Sequence, residues 1–213
     1  MSDQQHYIER IRILLQDTGL DRWESETLTL ALRHALLQYS RALPDQAITT
    51  VNVTASSREL SIAAITPRLQ VIKVWLPYTA ASPEHPPNWR NFEEWPGDLL
   101  YFPDDSQPSS GNVARIFYSR PRTLSGLDGA QTTTIKTPHE DIIITGAAGF
   151  AALARAEQLA ETVTAEDNTY SHLHGWGFTR QNEFRAELNR LKNTPAGGFV
   201  PAGQIRRKRV PRS

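Results

Sequence analysis

The chain has 213 residues, and its 23 Lys plus Arg are matched by 23 Asp plus Glu, so a formal net charge of zero argues against a general polyanion binder. It contains no cysteine, which excludes a disulfide framework and any thiolate zinc site. Its apolar runs fall short of the ~20 residues of a membrane span, and the polar start "MSDQQHYIER" is no secretory leader; a soluble chain made in a cytoplasm is expected.

Helical spacing comes first along the chain. Tyr7, Ile8, Ile11, Leu14 and Leu15 recur at intervals of three and four, predicting an amphipathic helix over 4–16 that Gly19 should cap. A longer helix follows, with Leu28, Leu32, Ala35, Leu36, Tyr39 and Leu43 on one stripe and Pro44 as its stop. Asp21 and Glu24 share the capping of its first turn, and Trp23 covers it.

From Gln46 the period changes to two. "AITTVNVTA" and "RELSIAA" read as a hairpin, and "LQVIKVWLPYT" places Val71, Lys73 and Trp75 on one side. "DLLYFP" and "NVARIFYSR" follow a proline-rich loop, giving five or six short strands and a small antiparallel sheet or barrel within 46–136.

Helical spacing returns at "TPHEDIIITGAAGFAALARAEQLAE", with Thr137 as N-cap, Pro138 at the first position and Glu140 reaching back. Gly146, Ala147 and Gly149 make this helix smooth enough for another backbone to approach closely, which we read as a subunit-packing surface. A last helix spans about 168–192, with "HGWG" expected to weaken or bend its middle. The expected fold class is therefore α+β. It comprises a four-helix bundle with an N-terminal pair (1–45) and a C-terminal pair (137–194), an inserted antiparallel β lobe (46–136) and an extended C-terminal arm (195–213).

No constellation of catalytic residues emerges. His172 and His174 point about 200° apart on a helix and read as surface histidines, not joint metal ligands. His139 beside Glu140 and Asp141 has the residue types of a metal site, but neighbours in sequence diverge and an acidic first turn is ordinary helix chemistry. "SGLDGA" is a turn, "GAAGF" lies within a helix, and neither a nucleophile elbow nor a phosphate loop is present. Glu93, Glu94, Asp98, Asp104 and Asp105 read as loop acids that solvate turns. We expect no enzyme, no cofactor and no metal. Trp75, Trp89, Phe92, Trp95, Tyr101, Phe102, Phe117 and Tyr118, interleaved with Arg90 and Arg115, could form a face for single-stranded nucleic acid. Acids are as frequent there as bases, so the core of a small lobe is the favoured reading.

The C-terminal stretch "GGFVPAGQIRRKRVPRS" is too poor in apolar side chains to hold itself in place. Phe199, Val200 and Ile205 could fill pockets on a protein partner while Arg206, Arg207 and Arg209 pair with its acids.

"DTGLDRWESETLTLALRHALLQYSRALP", the strands after it, and "RIFYSRPRTLSGLDGAQTTTIKTPHEDIIITGAAGFAALARAEQLAE" together resemble the head–tail connector (adaptor) proteins of tailed bacteriophages. The resemblance is one of pattern and covers most of the chain. It implies a structural virion protein in the phage neck, made in the host cytoplasm. Copies, commonly twelve, would form a ring that docks on the portal protein after DNA packaging. That ring would extend the DNA channel, with genomic DNA only as its contents, and carry the tail or nozzle proteins. The six arm residues from Phe199 to Arg209 would bind the portal, and no membrane is involved. Two other roles stay open: a tail-side stopper or terminator ring, and a nucleic-acid-binding module using the basic arm.

Overall fold

A computed structural model describes residues 2–17, 19, 22–83, 85–104, 107–161 and 167–193. Four α-helices and seven strands are formed among them: α1 (Gln4–Leu14), α2 (Ser25–Ala42), β1 (Asp45–Asn52), β2 (Glu59–Ser61), β3 (Gln70–Trp75), β4 (Trp89–Arg90), β5 (Glu93–Trp95), β6 (Leu99–Tyr101), β7 (Val113–Arg120), α3 (Glu140–Glu161) and α4 (Asp167–Asn193).

Asp3 caps α1 by accepting from the His6 N–H at 3.0 Å. The helix stops at Gln16, whose φ of 57° is left-handed, so the Gly19 expected as its cap is not used. Arg12 in the last turn of α1 and Asp17 just past this stop form a buried ion pair. Asp17 also accepts from the Arg22 N–H, and Arg12 donates to Ser25 Oγ, which fixes the path into α2. Glu24 precedes α2 without a side-chain cap, while Trp23 is buried in the helical core.

The four helices do not form the expected bundle of two pairs. The α3 helix is central: it packs on α1, α2 and α4, whereas α2 and α4 barely meet. Between α1 and α4 lies an open groove lined by Leu14, Leu15, Leu173 and Trp176. The reason is in α3 itself, where Ile143, Ile144, Ala147, Ala148, Ala151, Ala152 and Ala156 are all buried, so it takes partners on more than one side. With 11 residues, α1 is also too short to close a fourth wall along the 27-residue α4. By length and composition the stretch Thr137–Ala160 would pass for a bilayer span, although half of its most apolar window is buried by this packing.

The "HGWG" sequence does not interrupt α4, which runs on through it. Gly177 instead lets α4 lie close against α3, where an added Cβ would stand 3.1 Å from the Gly149 carbonyl oxygen. The Gln181 side chain donates to the Gly146 carbonyl at 2.7 Å across the same contact.

The β part is a two-sheet sandwich rather than one sheet or a barrel. One sheet has the order β1-β7-β3-β4 and the other β2-β6-β5. The expected hairpin between β1 and β2 does not form, because the eight residues of β1 pair in full register with the eight of β7. Val51, Val53, Val71, Val74, Ala114 and Ile116 of the first layer meet Leu60, Ile62, Leu100 and Phe102 of the second to form one core. A bulge between Val71 and Lys73 turns Val71 inward, so it does not share a side with Lys73 and Trp75. Glu94 of the second sheet accepts from the Val71 N–H at 2.6 Å and joins the layers.

Residues 121–136 leave the sandwich and pack Leu124, Leu127 and Ile135 into the helical core. A 3-10 turn over Thr137–His139 starts α3 without a side-chain cap. In that turn His139 Nδ1 lies 2.7 Å from the Tyr39 hydroxyl. Burial, and then the positive charges of Lys136, Arg122 and Arg190, lower its pKa below the ordinary 6.5. The unfolded chain therefore binds this proton more readily than the folded one. The contribution is complete above pH 6.5 and is lost as pH falls through the lowered folded value. Thermal midpoints of the parent and His139→Gln, followed against pH, should differ in slope between the lowered folded value and pH 6.5 and run parallel above pH 6.5.

Candidate interaction faces

Strand alternation builds two outward faces on opposite sides of the sandwich. On the four-stranded sheet, Ile48 of β1 stands opposite Phe117 of β7, and Phe117 opposite Lys73 of β3. The next row sets Thr50 against Arg115, and Arg115 against Trp75, which in turn faces Trp89. Trp89 packs edge-on against Phe117 at 5.5 Å between centroids, and Trp75 against Tyr78 at 5.0 Å. The cations sit over these rings: Lys73 Nζ is 5.0 Å from the Trp89 centroid, and the Arg115 guanidinium 4.8 Å from Tyr78. Arg115 also donates to the Tyr78 hydroxyl at 3.0 Å. No strand residue pointing to this side is acidic. Ile48, Ile72 and Trp89 remain 51%, 42% and 39% exposed.

The three-stranded sheet presents the opposite character. Glu59, Tyr101 and Glu93 lie abreast across β2, β6 and β5, with Ser61, Leu99 and Trp95 in the next outward row. Trp95 stacks flat on Tyr101 at 4.2 Å and donates its Nε1–H to Glu93 at 3.1 Å. None of these six residues is basic. Two aromatic faces, one cationic and one anionic, thus lie back to back.

The aromatic set singled out from the sequence divides accordingly. Phe102 is buried in the sandwich core with Phe92 and Tyr118 against it, whereas Trp89, Phe117, Trp95 and Tyr101 belong to the outer faces. Among the loop acids, Glu93 and Glu94 prove to be strand residues, Asp98 pairs with Arg68 at 2.7 Å and Asp104 accepts from Asn91. The smooth surface of Gly146, Ala147 and Gly149 is covered within the chain: a Cβ on Gly146 would lie 2.7 Å from the Phe184 ring, and Ala147 is fully buried. His172 and His174 sit exposed on α4, the latter beside Tyr170. Among the described residues no group of three or more His, Asp or Glu is placed to hold a metal ion. Phe199, Val200, Ile205, Arg206, Arg207 and Arg209 lie outside the described residues.

What sequence reading missed was the pairing of faces. Alternation in "VARIFYSR" already puts Arg115 and Phe117 on one side, but only the stacking of the two sheets sets them opposite Glu59 and Glu93. A scan against protein-family models and a search of curated proteins each find no match to this chain.

Proposed function

We propose that the chain is a structural subunit of a head–tail connector of tailed bacteriophages, an adaptor that assembles as a ring on the portal and carries the tail. The observation that carries this reading is the distribution of large apolar side chains left in solvent. Ile13, Leu30, Leu37 and Phe178 stand out from three helices, and Ile48, Leu69, Ile72, Trp89 and Trp95 from the sandwich. A subunit with neighbours on several sides needs such surfaces on both of its parts, whereas a monomer with one ligand needs one patch. The resemblance of its sequence pattern to adaptor proteins supports the same assignment.

In this reading the basic arm beyond α4 is the portal contact, and many arms acting together supply avidity. Removing residues 197–213 should leave the thermal midpoint of the chain unchanged. Capture by portal-bearing, DNA-filled heads should fall on the order of 100-fold. Undiminished capture by the truncated chain, or no capture by the full one, would count against the reading.

A further inference from the structure

We propose that neighbouring copies in the ring join through the sandwich, the cationic sheet face of one copy seated on the anionic sheet face of the next. The inference rests on the connector reading for the ring and goes beyond it in naming the surfaces. Lys73 and Arg115 supply the positive charge among Trp89, Phe117 and Ile48; Glu59 and Glu93 supply the negative charge around Trp95 and Tyr101. The two faces belong to different layers of one sandwich, so they point in opposite directions.

That disposition decides the type of contact. A face meeting its own copy across a two-fold axis would set Lys73 and Arg115 against Lys73 and Arg115, or Glu59 and Glu93 against themselves, and like charges repel. Joining unlike faces sets opposite charges against each other and leaves each copy one free face, so that the pair still presents one of each kind. Such a head-to-tail contact repeats from copy to copy, giving a ring where the rotation between neighbours closes and an open filament where it does not. Apolar side chains lie at the centre of both faces, where desolvation yields most, and the charges set orientation. Single-stranded nucleic acid could also stack on Trp89 and Phe117, but the exposed Ile48 and Ile72 offer it nothing, whereas a protein surface would bury them.

The absence of cysteine makes the test direct. Thr50→Cys places a thiol beside Arg115 on one face, and Ser61→Cys places one beside Leu99 on the other; both positions are exposed. The full-length chains are treated with a short bis-maleimide at high concentration, and their mass in solution is followed by light scattering. A mixture of the two variants should give cross-linked dimers while neither does alone, and the doubly substituted chain should give a ladder of multiples. Lys73→Glu with Arg115→Glu should cut the ladder about tenfold or more. Mixing that chain with one carrying Glu59→Lys and Glu93→Lys should restore the cross-link, which also shows that both variants fold. Cross-linked dimers of the Thr50→Cys chain alone would overturn the proposal, as would Arg115-dependent binding of a single-stranded oligonucleotide that blocks the ladder. Rings that form without the ladder would sink the sheet-to-sheet contact and leave the connector reading standing. A chain that stays monomeric and gives no ladder would sink both.

Discussion

Replacing Arg122 by alanine should lower the unfolding free energy by about 3–5 kcal/mol, because one nearly buried guanidinium holds together elements from both parts of the molecule. Its side chain is 11% exposed. It donates to the carbonyls of Leu43, Pro44 and Thr134 and to the Asp45 carboxylate, while its backbone N–H donates to Ser40 Oγ. These groups are the end of α2, the start of β1 and the strand-to-helix link. Alanine leaves three carbonyls and part of a carboxylate without a donor, and each buried loss costs about 1–3 kcal/mol. Asp45 keeps its second partner, Arg120, at 2.9 Å, which holds the total to the range given. Lysine should recover less than half, since one ammonium cannot fan out to three carbonyls as a planar guanidinium does. Urea titration with two probes checks this. Trp75, Trp89 and Trp95 make fluorescence mainly a report on the sandwich, and far-ultraviolet dichroism reports on the helices. Both midpoints should fall in the variant; a loss below about 1 kcal/mol would show that the clamp is not needed.

The second large effect lies between α3 and α4. A Cβ added to Gly146 would meet Phe184 Cγ, Cδ2 and Cδ1 at 2.7, 2.8 and 2.9 Å, too close for the ring to stay where it is. Phe184 is 1% exposed and packed in the helical core, so the ring can shift only by disturbing its neighbours. Gly146→Ala should therefore cost about 1–3 kcal/mol despite the better helix propensity of alanine. Phe184→Ala should cost about 3–5 kcal/mol through the cavity it leaves. The two should be far from additive: with the ring removed, Gly146→Ala should cost nothing or gain up to about 1 kcal/mol. Additivity within about 0.5 kcal/mol would mean that the helices separate freely at this point.

Much of the helical layer was legible in the sequence because its signals are local. The stripe Leu28–Leu32–Ala35–Leu36–Tyr39 and the stop at Pro44 gave α2, and the apolar run from Ile142 gave α3. How the helices assemble was not legible. Smoothness at Gly146 and Gly149 signals a close neighbour without saying whether it comes from the same chain, and here it is α4. The glycines of "HGWG" carry the same ambiguity, since glycine breaks a helix in solvent yet permits contact inside a packed layer. Pairing in the sandwich was hidden for a different reason. The partner of β1 is β7, more than 60 residues away, and the nearer β2 has only three residues to offer. A single bulge at Ile72 then reversed the side on which Val71 falls, which no alternation rule applied to "QVIKVW" detects. Lys73, Arg115, Glu59 and Glu93 were visible as charges, but their opposition is a property of two stacked layers.

The sandwich is rooted in the helical layer by two neighbouring strands, with β1 leaving α2 at Asp45 and β7 returning at Arg120 directly opposite. Eight extended residues make a lever of about 27 Å from that root to its tip. A tilt of about 5° at the Arg122 clamp would carry the far end through about 2 Å, given that length. Slight adjustment at one guanidinium thus swings the tip of the sandwich relative to the helices, with neither layer having to repack.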